Sequence, residues 1–486
     1  MSRRGGKMYS ILDKNAIISK YGENNIGIPL FECSNQTICQ IYYFRWQVFC
    51  KHLKQTPRGW VVTEFLPDVP WAGKYNTISC GAGHHFHEGR WLYDRKYLSD
   101  YARFWFCDEG EPRRYSFPAA DAILSACKVW GDISLAQSLL EPLCQNFKEW
   151  TEKNKTENGL YYQIDDRDGM EYSIGGSGNR PTINSYMYAD AVAIFEIAKS
   201  LGNEALAEEY KKIAEDLGEK INSMLWNREH SFFETLSDGK SAKVRELVGY
   251  VPWYFNIPSA EKSVAWKYLK DEKYFKAPYG PTTAEQNHPD FMKQHDHECL
   301  WNGPSWPFAT SQTLTALANL IANYQDPVLD ESDYFDLLLT YANSHYLTHE
   351  NGQKIPFIDE NLDPYSGKWI ARDILKSIEP PRPDADRGRD YNHSTFCDLV
   401  LSGLAGVRID KEWLEVHPMF KEKDLSYLCA DGVLFGKHSI TVIWDKTGEK
   451  YKMGKGFFVM CDGKILAHAQ KPCKIKLEEI KNEAFC

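Results

Sequence analysis

Two acidic side chains, Glu171 and Glu360, stand in segments suited to sugar cleavage. Glu171 lies in Gly169-Met170-Glu171-Tyr172-Ser173, a polar loop leading into the glycine-rich Gly175, Gly176 and Gly178. Glu360 follows the apolar run Ile355-Pro356-Phe357-Ile358 and precedes the turn formers Asp363-Pro364-Tyr365-Ser366-Gly367. A carboxylate at the end of an apolar stretch is held rigidly and partly desolvated, as a base that orients a water must be. Two carboxyl groups are the minimum for glycoside hydrolysis, one protonating the leaving oxygen and the other activating water. Asp165, Asp166 and Asp168 crowd Glu171. Like charges raise a neighbour's pKa, which a general acid near neutral pH requires, and Asp168 is the alternative acid. The same acids also fit a hard-cation cluster or plain solvated charge.

Aromatic and amide groups are the second ingredient. Trp301-Asn302-Gly303-Pro304-Ser305-Trp306-Pro307 leads into an apolar helical pattern and offers Trp301, Asn302 and Trp306 as walls around a polar ligand. Arg45 and Trp46, Arg90 and Trp91, Tyr186 and His393 are the other candidate sugar contacts. Arginine brings several donors in a fixed fork, useful for hydroxyls or a uronate, although pairing with an acidic neighbour is an equal alternative. Trp also serves as core filler with a polar handle. The clusters His84-His85-Phe86-His87 and His295-Asp296-His297-Glu298 match neither a closed Cys/His zinc site nor H-E-x-x-H, so no metal is expected. No dinucleotide fingerprint or phosphate loop stands in strand–helix context, so no cofactor is expected.

A net charge of −10 argues against a nucleic-acid partner. No apolar run is long enough to span a bilayer, so no membrane partner is expected either. Thirteen cysteines, an odd number without C-x-x-C, read as buried reduced thiols. That favours a reducing compartment, hence a cytoplasmic protein, or a periplasmic one if a signal peptide has been removed. The oligomeric state is open.

These side chains need a scaffold. Residues 1–37 read as irregular. From about Ile38 the spacing is helical: Met187, Ala191, Ile194, Ala198 and Leu201 fall on one face, Gly202 stops the helix, and Glu204–Leu225 runs back. Helical pairs recur at Tyr97–Cys107 with Pro118–Trp130 and at Ala309–Tyr324 with Tyr334–Tyr346. About twelve helices between 38 and 410, joined by long loops such as 155–182 and 350–390, predict a mainly α fold, an (α/α)6 toroid. Long loops in compact domains are usually functional. After about residue 410 the texture alternates, as in His438–Trp444 and Phe457–Cys461, each followed by a turn. A small β domain over 411–486 is expected.

The segment 301–307 is similar to the W-x-G-P-x-W-P segment of the processing α-glucosidase I family and its bacterial mannosylglycerate hydrolase-like relatives. Trehalases carry a related stretch. Asp359–Gly367 resembles the family's E-N-Y-x-P-x-T-G motif, whose Glu is the catalytic base. Gly169–Ser173 resembles its G-M-D-x-S motif, whose Asp is the acid. The chain departs in having Glu171 for Asp, Tyr172 after it, and Leu362 where an aromatic is common. Trp60–Trp91 and Tyr391–Gly406 look more like toroid enzymes that act on β-L-arabinofuranosides. The resemblance implies an exo-acting, inverting six-hairpin glycosidase with Glu171 as acid and Glu360 as base. Its substrate would be an oligosaccharide or glycan carrying an α-glucoside, α-mannoside or β-L-arabinofuranoside. A phosphorylase, a sugar epimerase using the His pairs, or a non-catalytic carbohydrate-binding protein are the alternatives.

Overall fold

The computed structural model describes residues 10–22, 26–380, 382–409 and 413–481. Among them, twelve helical segments alternate between an outer and an inner ring. The outer helices are Gln36–His52, Lys96–Cys107, Leu140–Asn154, Glu204–Lys220, Ala260–Lys270 and Glu331–Ser344. The inner ones are Ala82–Gly89, Ala119–Trp130, Pro181–Ser200, Leu247–Tyr250 continued by Val251–Tyr254, Pro307–Asn323, and the π-helical turn Leu399–Leu404. Burial separates the rings. Every residue of Ala82–Gly89 is buried, whereas Glu204–Lys220 buries only Ala207, Tyr210, Ala214 and Leu217. An apolar stripe marks a helix that rests on a core, and burial all round marks one inside it. This is the (α/α)6 toroid.

Local sequence explains the helix ends. Pro181 and Pro307 open two inner helices at the position where a missing N–H does no harm. Asp330 and Asp333 form a reciprocal capping box on an outer one. Gly131, at φ 61°, ends Ala119–Trp130 in the left-handed conformation.

The ring closes through one buried carboxylate. Glu88, at the end of the first inner helix, accepts from the backbone N–H groups of Phe396 (3.1 Å), Cys397 (2.9 Å) and Asp398 (2.8 Å), which begin the last inner helix.

The C-terminal region is a five-stranded antiparallel sheet, in the order Leu30–Cys33, Tyr427–Phe435, His438–Asp445, Gly456–Cys461, Lys464–Ala469. Its first strand comes from the segment read as irregular, which also contains the helix Lys14–Tyr21. Leu30–Cys33 escapes a sequence reading because a four-residue strand has too little periodicity to register. The sheet shares one core with the helices, Val433, Val442, Trp444 and Val459 being continuous with it. The turn at Gly436 donates to Val129 O at 2.8 Å. There a Cβ on Gly131 would lie 2.7 Å from Gly436 Cα. No helix among the described residues is long and apolar enough to cross a membrane.

Candidate active site

The loops that enter the inner helices gather at one end of the toroid around a cavity of about 450 Å³. Glu171 comes from the loop before Pro181, Trp306 immediately precedes Pro307, and Glu360, Tyr391 and His393 come from the long connection to the last inner helix. The volume lies in the range of small-molecule sites. The axis below is filled: Gln312 donates to Tyr186 Oη at 2.6 Å, His84 packs edge-on against Phe308, and the remaining void there is about 20 Å³.

The segment 301–307 brackets both acidic loops. Trp301 N donates to Glu171 O at 3.0 Å. Ser305 and Leu362 exchange two backbone hydrogen bonds, of 2.9 and 2.8 Å, next to Glu360. The Glu171 and Glu360 segments are thus tied to one short stretch of chain.

Glu171 keeps part of its surface open to the cavity, yet protein surrounds it. Burial first, with Asp166 and Glu360 adding like-charge repulsion, pushes its pKa up to about 8. It is a carboxyl that carries its proton at neutral pH.

Glu360 is buried apart from its face on the cavity. Cys299 Sγ donates to its Oε1 at 3.5 Å, and Arg387 lies 3.5 Å from its Oε2. Burial holds the Cys299 thiol well above its ordinary pKa, so it is a neutral donor. Arg387 is anchored by Glu298 at 2.7 Å and lies over the Trp71 ring. Gly388 lets this arginine approach, because a Cβ there would fall 1.8 Å from Asp359 Oδ1. Burial, then Glu360, pushes Asp359 up to about 7.

Along with Asp166 and Glu298, Glu64 is a further carboxyl in the wall. His393 Nε2 lies 2.8 Å from its Oε1, and burial raises its pKa. The other arginines lining the cavity also face acids: Arg114 with Glu111 (3.4 Å), Arg167 with Asp166 (3.5 Å) and Arg382 with Asp384 (2.7 Å).

Of the residues singled out from the sequence, Glu171, Glu360, Trp306 and His393 meet in this cavity. Others do not reach it. Trp301 lies behind Trp306, stacked at 4.5 Å between ring centroids. Asn302 is buried, donating to Lys293 O at 2.8 Å. Tyr186 belongs to the plugged axis. Arg45 is a core residue that donates to Ser394 O at 2.9 Å, and Trp46 packs against Tyr42 and Phe49. Arg90 and Trp91 lie at the opposite end, both donating to Asp398 Oδ1 (2.9 and 2.6 Å). None of these four lines the cavity that holds Glu171 and Glu360: Arg45 and Trp46 sit in the core, and Arg90 and Trp91 are held by Asp398. Asp168, the alternative acid, is buried and ion-paired to Arg180 at 2.7 Å, with Ser116 and Thr182 donating to it. It has no free face for a leaving group.

Sequence reading alone misses Glu64, Cys299 and Arg387. The last two stand beside segments already singled out, Cys299 two residues before Trp301 and Arg387 inside the long loop 350–390. Glu64 in Thr63-Glu64-Phe65-Leu66 carries no local signal.

The sequence model of the mannosylglycerate hydrolase MGH1-like glycoside hydrolase domain matches residues 74–394, about two thirds of the chain. The chain belongs to this family. The MGH1-like match takes in Glu171, Glu360, Arg387 and His393. Among solved structures, a chain titled sialidase superposes with a TM-score of 0.87 and 39% identity, over 96% of this chain and 44% of that one. A mannosylglycerate hydrolase from Thermus thermophilus, complexed with Tris, gives a TM-score of 0.54 at 10% identity, over 74% of this chain and 100% of that one. The second likeness speaks for the toroid alone. An uncharacterized protein of Borreliella burgdorferi is 29% identical over 163 residues, 31% of this chain and 33% of that protein. The chain therefore spans a third of that relative and under half of the sialidase-titled chain.

Proposed function

We propose that this MGH1-like glycosidase removes terminal sugars from an oligosaccharide or glycan with inversion. Glu171 acts as general acid on the leaving oxygen and Glu360 as base on the attacking water. The observation that carries the reading is the contrast between the two carboxyls in one cavity. Glu171 holds its proton to about pH 8, while Glu360 has a guanidinium beside one oxygen and a thiol donor on the other. Two titratable groups in such different surroundings support separate acid and base roles. The filled axis supports exo action, since a chain can enter only end-on. The paired arginines speak against a phosphorylase, which needs uncommitted cations for its phosphate.

The test is hydrolysis of a panel of aryl α-glucosides, α-mannosides and β-L-arabinofuranosides, with the product anomer followed by NMR. An inverted product supports the mechanism and names the sugar. A retained anomer, or turnover that survives Glu360→Gln, defeats it.

A further inference from the structure

An inverting acid protonates the oxygen of the departing group, so that group must lie against Glu171. The next residue, Tyr172, is a large aromatic left 44% exposed. Its ring stacks on His295 with centroids 4.7 Å apart and 28° between planes. It also leans on His297 at 5.7 Å, and His297 lines the catalytic cavity. Tyr172 holds φ 58°, a left-handed backbone uncommon for a bulky residue. Such strain persists only where the surroundings fix it, and here the bond from Trp301 N to Glu171 O fixes the loop. The chain thus keeps an aromatic ring directly after Glu171 and against His297, a residue of the cavity wall.

The charges around the cavity narrow what that plane can receive. Arg114, Arg167, Arg382 and Arg387 each already face a carboxylate. A leaving group bearing its own carboxylate would find no arginine without a carboxylate partner among the described residues lining the cavity, and would meet Glu298 and Asp166. A pyranose ring needs no charge and offers a flat C–H face to an aromatic side chain.

Resting on the hydrolase reading above, we propose that Tyr172, with His295 and His297, forms a leaving-group subsite for an uncharged sugar ring. The substrate is then an oligosaccharide rather than the glycoside of a small hydroxy acid. His297 Nδ1 is held by the backbone of Cys299 at 3.0 Å, which fixes the imidazole and leaves Nε2 for a sugar hydroxyl.

The test uses one glycone in three forms: the glycosyl fluoride, a neutral disaccharide, and the glycoside of a hydroxy acid such as glycerate. The fluoride carries no ring on the leaving side. Replacing Tyr172 by Asn removes the plane while keeping a residue that tolerates the left-handed backbone. The disaccharide-to-fluoride ratio of kcat/KM is expected to fall about tenfold, the size of one lost stacking contact, and Tyr172→Phe should restore it. An unchanged ratio in Tyr172→Asn, or a wild type that prefers the hydroxy-acid glycoside to the disaccharide, overturns the subsite. Fluoride turnover that is absent, or that survives Glu360→Gln, overturns the hydrolase reading itself and the subsite with it.

Discussion

The toroid has a cavity at each end, and the two are close in size: about 450 Å³ where the inner helices begin and about 400 Å³ where they end. Both are lined by charged and aromatic side chains, but the bonding differs. At the far end Arg90 pairs with Asp398 at 2.7 Å, Lys128 with Glu196 at 2.8 Å, Glu415 with Lys474 at 3.0 Å, and Arg408 donates to Asn319 at 2.6 Å. At the near end Glu64 Oε2, Glu360 Oε2 and Arg387 Nε are buried without a hydrogen bond. Native proteins satisfy nearly all such atoms, and each exception calls for a reason. Room for a ligand exists at both ends, and His87 Nε2 at the far end is also buried without a hydrogen bond, but the near end gathers three such atoms on Glu64, Glu360 and Arg387. The far cavity reads as structural, the near one as built for a guest.

Substitutions at the two ends test this contrast. Glu360→Gln should lower kcat by roughly 10²–10⁴-fold, the usual contribution of a general base, with the folded state intact by circular dichroism. Asp398→Asn should do the reverse. Breaking a buried charge pair costs about 3–5 kcal/mol, so the denaturation midpoint drops while turnover per folded molecule holds. A kcat loss matching that of Glu360→Gln would make the far end part of the machinery.

The acid gives two readouts of pH. Because Glu171 must be protonated to serve as the proposed acid, kcat/KM should fall roughly tenfold per pH unit above its pKa, which lies at about 8. Glycosyl fluorides, which need no proton, should lack that limb. Between the ordinary carboxyl value of 4.5 and about 8 the folded chain holds the Glu171 proton more tightly than the unfolded chain does. Stability from this group therefore falls as pH rises across that window. Relative to wild type, Glu171→Gln should melt higher at pH 9 than at pH 4, a variant that gains stability as it loses acid catalysis. The smallest effect belongs to the junction with the sheet. Gly131→Ala puts a Cβ 2.7 Å from Gly436 at positive φ and should cost about 1–2 kcal/mol, with activity unchanged.

The helical pairs are legible in the sequence because their apolar spacing is long and regular: the expected Pro118–Trp130 is observed as Ala119–Trp130, and Ala309–Tyr324 as Pro307–Asn323. The two carboxylates stand out because each sits in a loop of unusual composition. The aromatic and arginine contacts are largely illegible. Arg45 and Trp46 follow one another in an amphipathic helix, and the sequence does not say that Arg45 meets Tyr341, His345 and Ser394 in the core or that Trp46 packs on Tyr42 and Phe49. Arg90 and Arg387 look alike in sequence. Only the fold reveals that one ends an inner helix facing Asp398 and the other stands on a loop facing Glu360.

The filled axis carries a kinetic consequence. With Tyr186, Gln312, His84 and Phe308 closing the floor, in the proposed exo reaction the mouth that admits the oligosaccharide is also the exit for the freed sugar. The nucleophilic water must already be inside when the substrate seats. On that reading, a released monosaccharide that lingers blocks the next chain end, so turnover should slow as product accumulates.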